Sequence, residues 1–434
     1  MPSERQDHDC RGRLTGPTGR RRIRAVRPLT LAPVVAGLLL LLLVLPAHRA
    51  GRGNGRAWSA PADSVVLVSL GLLAVCAAAG LALAVHAGTV ARDPAPLPPR
   101  PGTRVAFLAT YAPGRKPLSS VRAVLEGAVR MRHPGPLDVW LLDEGDDPEA
   151  RMLCAELGVH HFTRLGVPEW NQAEGPHQAG TRHGNSNAWL AKHGDAYDLL
   201  ASVDTDHVPL PGFLERMTGY FRDPDTAFVV GPGPSGGPDV HARARRVGNR
   251  YGAAVFAGPA GVVRVEALRQ AGGFHTTVAG DDTVTGLEIH RRRNPRTGRY
   301  WRSARTSDVT VSCQGHAASA GLPRAALLRQ YGKVLLRMPP GRLLGCTLPL
   351  VHHPMAVLTS LFGVLSCLAS LAHPAARGWA VLALVVALAP AVAWFFTLLR
   401  ERASGPALFR APAPPERCPA VCARTAPDAR SAAR

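Results

Sequence analysis

The sequence predicts an α/β domain with a parallel sheet, flanked on both sides by apolar helices that cross a membrane. Hydrophobic residues form 46% of the 434 residues, but they concentrate near the two ends. The middle has the mixed composition of a soluble domain, and short apolar strand patterns alternate there with helical patterns.

Shifts in composition divide the chain into six segments. We expect a basic cytoplasmic segment at 1–28, two transmembrane helices within 29–88 and a Pro-rich linker at 89–103. A cytoplasmic globular domain follows at 104–340. An interface helix and two further transmembrane helices lie within 341–399, and a disordered Arg-rich tail occupies 400–434.

Four apolar runs approach the roughly 20 residues that a helix needs to cross a bilayer. They lie at 29–47, 64–85, 355–372 and 378–399, and a shorter run at 343–351 suits a helix at the interface. The first run also suits a secretory signal peptide, but the equally apolar run behind it favours a pair of spans. Arginines crowd the segment before the first span, which predicts a multi-pass protein of the inner (plasma) membrane with its globular domain in the cytoplasm.

The chain carries a formal net charge of +20. Much of the excess arginine lies in the tails beside apolar runs, where it suits retention on an anionic leaflet better than nucleic-acid binding. No helix-turn-helix or finger spacing accompanies the charge, so we expect no nucleic-acid partner. The eight cysteines are scattered and predict neither a disulfide framework nor a zinc site.

Strand and helix patterns alternate between residues 105 and 221. Strands are predicted at 105–110, 137–142 and 199–203 with a short one near 159, and helices at 119–130, 148–157, near 187 and at 211–221. This βαβ order predicts a parallel sheet, whose ligands gather beyond the carboxyl ends of the strands. Acidic residues stand there, since Asp143 follows one predicted strand and Asp204 follows another.

Asp204 and Asp206 form a D-x-D triplet directly after the 199–203 strand. Because alternate residues of an extended segment face the same way, the two carboxylates can converge on one ligand. Mg²⁺ or Mn²⁺ held there would neutralise charge on a diphosphate leaving group. A solvated Asp-rich turn is the alternative, and the position at a strand end favours the metal site.

A second acidic pair, Asp281 and Asp282, precedes a segment whose apolar residues suit a helix. One interpretation is that Asp282 caps that helix and has no other role. The functional interpretation makes it the general base that takes a proton from an acceptor hydroxyl, because a helix N-terminus helps to keep a carboxylate ionised.

The order of these motifs over about 104–337 resembles the family 2 glycosyltransferases, the inverting group that includes cellulose synthase, chitin synthase and hyaluronan synthase. The family's T-Y or S-Y, D-D-G and K-A-G-x-x-N motifs are similar to Thr110-Tyr111, to Asp143-Glu144-Gly145 and to the six residues from Arg182 to Asn187. The phrase SVDTDHVPLPGFL is the strongest match. GPAGVVRVEALRQAGGF and the acidic pair at 281–282 follow in the family's order.

This resemblance implies a GT-A type, nucleotide-sugar-binding, Rossmann-like domain that carries out metal-dependent, inverting transfer of a hexosyl group. It implies nucleotide-sugar binding by Thr110, Tyr111, Asp143, Arg182, Asn187 and Asp204, metal binding by Asp204 and Asp206, and catalysis by Asp282. It places Gly258, Asp281, Gln330 and Lys333 on the acceptor side.

Several positions depart from the family's pattern. Arg182 stands where Lys is usual, Glu144 replaces an Asp, and Ala257 stands where Cys is common. Polymerising members carry Q-x-x-R-W, whose Trp stacks on the acceptor sugar, whereas only Gln330 and the cation Lys333 remain here. We therefore expect a short acceptor, or one sugar transferred per encounter.

These observations predict a membrane-bound glycosyltransferase that moves a sugar from a nucleotide diphosphate sugar, with a uridine donor expected, to a saccharide or lipid-linked acceptor. The role would be synthesis of cell-surface polysaccharide or glycolipid. Loading of a lipid phosphate carrier is an alternative that shares the donor site. A non-catalytic membrane partner that binds nucleotide sugar or polysaccharide is an alternative of another class. The lipid bilayer is an expected partner, and the sequence does not decide whether the chain forms a dimer or binds a membrane partner. His207 and His290 are expected to be structural.

Overall fold

The computed structural model describes residues 14–15, 65–66, 68–80, 93–94, 97–115, 117–204, 206–231, 240–276, 281–306, 311–313, 338–372, 378, 380–389 and 392. The predicted span at 29–47, the tail at 400–434, and Gln330 and Lys333 lie outside these residues.

Eleven strands are present among the described residues, and seven of them form one sheet. The strands are β1 (Leu14–Thr15), β2 (Asp93–Pro94), β3 (Val105–Tyr111), β4 (Leu137–Asp143), β5 (His160–Thr163), β6 (Leu199–Val203), β7 (His207–Pro209), β8 (Thr226–Val230), β9 (Ala260–Arg264), β10 (Arg302–Arg305) and β11 (Val311–Cys313). The large sheet has the order β10-β8-β9-β6-β3-β4-β5, and β1-β2 and β7-β11 form two small antiparallel pairs.

The predicted parallel pairing is confirmed for β6, β3, β4 and β5. β9, at a position where no strand was predicted, runs antiparallel to both β6 and β8. β9 runs antiparallel because the chain enters it at the edge of the sheet where β8 ends. The N–H of Gly231, just after β8, donates to the carbonyl of Ala260 at 2.9 Å, so β9 begins at the edge where β8 ends. This reversal brings the start of β9 to the carboxyl edge of the parallel strands.

The described residues form helices on both faces of the sheet and further apolar helices beyond it. They are α1 (Val68–Gly80), α2 (Leu118–Val129), α3 (Pro148–Leu157), α4 (Arg182–His193), α5 (Phe213–Met217), α6 (Val240–Tyr251), α7 (Val265–Gln270), α8 (Asp281–Arg291), α9 (Pro340–Ala372) and α10 (Ala380–Ala389). The helix predicted at 211–221 is divided into α5 and a 3-10 turn, Thr218–Arg222. Gly219 lies in that turn, and glycine favours the α-helix poorly.

The core has two layers because the central strands are buried on both faces. Phe107 of β3 packs into one cluster with residues of α2 and α5, including Leu125 and Phe213. Leu108, the next residue of β3, points to the opposite cluster, which contains Trp189 of α4. The alternation along one strand therefore fixes α2 and α5 on one side of the sheet and α4 on the other.

The interface helix predicted at 343–351 and the span predicted at 355–372 are continuous in α9, a single helix of 33 residues. Its segment Pro354–Leu371 has a mean hydropathy of 1.8 and is long and apolar enough to cross a membrane, the one such helix in the described part of the chain. The described parts of the spans predicted at 64–85 and 378–399 form the shorter apolar helices α1 and α10. Ser360 of α9 donates a hydrogen bond to the carbonyl of Ala387 in α10 at 2.8 Å.

The first turns of α9 pack on the globular domain. Cys346 is fully buried in a small cluster with Val284 and Leu287 of α8, and Arg342 donates to the carbonyls of His290 and Tyr300 at 3.3 and 3.1 Å. The apolar helix is therefore a direct extension of the domain.

Candidate active site

The carboxyl ends of three parallel strands meet at one edge of the sheet, as the sequence predicts. β3 and β4 pair in register with Tyr111 opposite Asp143, and β6 lies on the other side of β3. Asp204 comes directly after β6, and its N–H donates to the carbonyl of Pro259 at 2.7 Å. The start of β9 therefore holds Asp204 at this edge.

Asp204, Asp206 and His207 form a compact group in which one ligand atom from each residue lies within 4.8 Å of the others. The carboxylates are 38% and 40% exposed, whereas the His207 ring is buried. His207 Nδ1 lies 2.8 Å from Asp206 Oδ1, and its backbone N–H donates to the Asp204 carbonyl at 2.8 Å. Two accessible carboxylates fit a hard divalent cation such as Mg²⁺ or Mn²⁺, and His207 orients one of them.

Arg182, the first residue of α4, joins two acidic positions that are far apart in the sequence. Its guanidinium donates to Asp204 Oδ1 at 2.7 Å and lies 3.9 Å from Asp282 Oδ2. Thr181 caps the helix by accepting the N–H of Gly184 at 3.0 Å, which fixes where α4 begins. The guanidinium of Arg182 therefore lies between the D-x-D carboxylates and the start of α8.

Asp282 stands in the first turn of α8 and lines the same cleft as Arg182, Asp204 and Gly258. Burial raises the pKa of its carboxyl, but the hydrogen bond from His183 at 3.1 Å and the charge of Arg182 outweigh burial and hold the pKa below its ordinary value. The side chain is 29% exposed. An ionised carboxylate thus faces the cleft, which is the state that a general base requires.

The sequence is similar to those of known glycosyltransferases. No protein-family model matches the chain. The chain is 30% identical over 251 residues to the UDP-forming cellulose synthase catalytic subunit of Xanthomonas axonopodis pv. citri, over 52% of this chain and 32% of that protein. It is 30% identical over 223 residues to cellulose synthase 1 of Komagataeibacter xylinus, over 46% of this chain and 13% of that protein. The resemblance to the family 2 glycosyltransferases is confirmed.

The fold agrees as well. The mannosyltransferase PcManGT of Pyrobaculum calidifontis, solved in complex with GDP-Man and Mn²⁺, superposes with a TM-score of 0.53 at 17% identity, covering 78% of this chain and 97% of that one. The α/β domain therefore has the GT-A glycosyltransferase architecture. The chain spans a third or less of the length of the two cellulose synthases, so their whole activity does not transfer directly.

Asp143, in the position of the glycosyltransferase D-D-G motif, is fully buried and holds a turn. Its carboxylate accepts the N–H groups of Gly145 and Asp147 at 2.9 and 2.6 Å and lies 3.2 Å from His161 Nε2. Tyr111 donates its hydroxyl to Asp147 at 2.9 Å, and burial followed by this hydrogen bond raises the tyrosine pKa to about 12. Both side chains shape the predicted nucleoside subsite, and direct contact with a nucleoside stays a prediction.

Sequence reasoning missed the salt bridge between Glu144 and Arg164. Arg164 is fully buried, and it pairs with both Glu144 oxygens at 2.6 and 3.0 Å. Its guanidinium also donates to the carbonyls of Trp170, Gln178 and Thr181, at 2.8, 3.0 and 3.2 Å. One side chain therefore organises the 165–181 loop that leads into α4. The replacement of the family's Asp by Glu144 was the available signal.

Asn187, predicted to bind the nucleotide, uses its amide within the protein. Its Nδ2 donates to the carbonyls of Pro176 and Phe274 at 2.7 and 2.8 Å, and its Oδ1 accepts the Phe274 N–H at 2.8 Å. Gly273 has a φ of 91°, and a Cβ there would lie 2.5 Å from the Asn187 oxygen. The structure thus places Asn187 as the support of the Gly-Gly-Phe corner.

The other described residues of the prediction differ in their positions relative to the cleft. Thr110 lines a neighbouring pocket with Arg182 and His183, at the end of β3. Gly258 lines the main cleft with a φ of 152°, and a Cβ there would approach the Gly231 carbonyl to 3.0 Å. Asp281 opens α8 next to Asp282. His290, predicted to be structural, is buried and bonded to the carbonyl of Ala254 at 3.1 Å.

Proposed function

We propose that this chain is a membrane-bound, metal-dependent inverting glycosyltransferase that moves one sugar from a nucleotide diphosphate sugar to a saccharide or lipid-linked acceptor. The observation that carries the proposal is the cleft in which Arg182 lies between Asp204, at the end of β6, and Asp282, at the start of α8. The proposed diphosphate site at Asp204 and the proposed proton acceptor Asp282 then lie on opposite sides of the Arg182 guanidinium.

The reaction needs one base and a stabilised leaving group. The acceptor hydroxyl attacks the anomeric carbon opposite the diphosphate, its proton passes to Asp282, and the bond from the anomeric carbon to the phosphate oxygen breaks. Asp204 and Asp206 would hold Mg²⁺ or Mn²⁺, which supplies positive charge beside the departing diphosphate. Arg182 adds a second positive charge to the same side. The lowered pKa keeps Asp282 ready to accept the proton at neutral pH.

The donor site extends along the strand ends. The resemblance implies that Thr110, Tyr111 and Asp143 bind the nucleoside. Two observations support this: Thr110 lines a pocket beside Arg182, and Tyr111 and Asp143 shape the neighbouring turn. The relatives differ in donor, since one cellulose synthase is UDP-forming and the mannosyltransferase was solved with GDP-Man. We infer that the donor is a nucleoside diphosphate sugar, and the resemblance to the family favours uridine as its nucleoside. The family Trp that supports polymerisation is absent from the Gln330 motif, which supports transfer of a single sugar.

Membrane attachment is part of the proposal. The apolar segment of α9 exposes large side chains along one face, among them Val357, Leu361, Leu365 and Leu368. Lipid contact would remove this surface from water. Together with the arginine-rich segment before the first predicted span, it supports a multi-pass protein of the inner membrane with the catalytic domain on the cytoplasmic side.

Release of nucleoside diphosphate from detergent-solubilised protein tests the function. A panel of UDP and GDP sugars is supplied with Mn²⁺ or Mg²⁺ and a membrane extract as acceptor source. We expect metal-dependent release that Asp206→Ala abolishes and that Asp282→Asn lowers by about 10²-fold or more while donor binding persists. Asp195→Asn removes an 85% exposed carboxylate outside the cleft and serves as the matched control. Donor binding without turnover in any condition would instead support the non-catalytic binding partner.

A further inference from the structure

His183 follows Arg182 at the start of α4 and approaches the proposed base from the protein interior. Its Nε2 lies 3.1 Å from Asp282 Oδ1, and its side chain is only 3% exposed. The imidazole stacks on the Phe274 ring, with the ring centres 4.9 Å apart and the planes 10° from parallel. The ring therefore has a fixed plane, and its nitrogen is aimed at one carboxylate oxygen.

The support for this ring comes from the same helix. Asn187 lies one turn after His183 on α4, so the two side chains share a face. Asn187 binds both the N–H and the carbonyl of Phe274, each at 2.8 Å. Helix α4 thus fixes the backbone of Phe274 with one residue and stacks on its ring with the other. This double contact resists rotation of the imidazole.

The hydrogen bond also assigns the proton. An ionised carboxylate only accepts hydrogen bonds, so the His183 Nε2 must carry the hydrogen in the contact with Asp282. Asp282 Oδ1 is thereby directed to His183, and Oδ2 is directed to the side of Arg182, at 3.9 Å. The two oxygens are distinguished by their surroundings, as in other sites where a third group orients a catalytic base.

We propose that His183 is a positioning residue that holds the Asp282 carboxylate in the orientation that receives the acceptor proton. The inference rests on the proposed function, because it assigns Asp282 the role of general base. During transfer the acceptor proton moves to Asp282, and His183 keeps its own Nε2 proton. His183 borders the pocket that Thr110 and Arg182 line, but its side chain is only 3% exposed and its Nε2 is directed at Asp282, so its removal should affect turnover more than donor binding.

Two substitutions separate the hydrogen bond from the packing. His183→Phe keeps a planar ring for the stack on Phe274 but removes the N–H donor. His183→Gln restores an N–H donor at a similar reach without the ring. Loss of a hydrogen bond to a charged group predicts a kcat about 10- to 100-fold lower for His183→Phe, with donor KM within about twofold of wild type. We expect His183→Gln to recover most of the kcat.

The controls address folding and burial. His193→Phe changes another histidine of α4, which packs against Trp140 and lies outside the cleft, and it should leave kcat unchanged. Thermal melting and calorimetric binding of UDP or GDP with Mn²⁺ show whether each variant is folded. His183→Ala provides a smaller side chain if the phenylalanine does not fit, and the same loss of kcat is expected.

The outcomes separate the two proposals. A lower kcat in His183→Phe with retained nucleotide binding and recovery in His183→Gln supports the positioning role. If the wild-type protein turns over and folded His183→Phe has the same kcat, this inference alone is overturned. A proportional loss of kcat and nucleotide binding in both variants also overturns it, because that pattern indicates a purely structural residue. Absence of turnover in the wild-type protein overturns the proposed function and this inference together.

Discussion

Replacing Arg164 by methionine tests whether a single buried cation organises the loop before α4. Methionine retains an unbranched apolar stem but removes the guanidinium, which leaves the Glu144 carboxylate unpaired and releases carbonyls of the 165–181 loop. Arg164 is 0% exposed and Glu144 is 21% exposed. Breaking a buried ion pair by removing one partner costs about 3–5 kcal/mol of unfolding free energy.

The chain offers a matched control in a second bidentate pair of the same types. Arg122 and Glu156 pair at 2.6 and 2.7 Å, as closely as the buried pair, but their side chains are 43% and 55% exposed. Exposed pairs contribute about 0–1 kcal/mol because water and salt screen them. Arg122→Met should therefore have a small effect even though its hydrogen-bond geometry is equally good.

Thermal melting of the solubilised protein measures the difference. At about 2–4 °C per kcal/mol for a domain of this size, Arg164→Met should lower Tm by about 6–20 °C and Arg122→Met by less than about 4 °C. Arg164→Met should also weaken binding of nucleoside diphosphate, because the loop that it anchors leads directly into Arg182. Equal shifts in Tm for the two variants would refute the argument that burial decides the contribution of these pairs.

Three further predictions concern pH and backbone geometry. Arg182→Gln removes a charge that lowers the pKa of Asp282, so the base becomes protonated at higher pH and the acidic limb of the kcat profile should move upward; an unmoved limb would contradict this. Burial lowers the pKa of His290 from 6.5 to about 4, so the unfolded chain binds the proton first and stability should fall by up to about 3 kcal/mol as pH drops from 6.5 towards 4. Denaturant melts should show that slope, and His290→Gln should flatten it. Gly273→Ala should lower Tm more than Gly272→Ala, because both have a φ of 91° but only Gly273 would place its Cβ against a neighbour, at 2.5 Å; equal losses would indicate backbone strain alone.

The sequence by itself determined the elements whose causes are local. Helix α3 has the predicted bounds because its signals are contiguous: Asp147 accepts the Glu149 N–H, Pro148 begins the helix, and Gly158 ends it with a φ of 65°. Strand β6 has its predicted bounds too, and the order of strands and helices was enough to place Thr110, Asp143 and Asp204 at one edge of the sheet. Motif order also indicated the resemblance to the family 2 glycosyltransferases, which the similar sequences confirm.

Only the tertiary structure decided which side chains meet across that edge. Arg164 and Glu144 are 20 residues apart, and Asn187 and Phe274 are 87 apart. No periodicity or cap marks such pairs, because they depend on how α4, the 165–181 loop and the corner before α8 pack together. The same holds for the antiparallel β9, whose direction follows from where the chain returns to the sheet. His183 is the clearest case, because in the sequence it is only a histidine within the motif from Arg182 to Asn187, with no role predicted for it. Packing against Phe274 and Asp282 gives it a fixed plane and a charged partner.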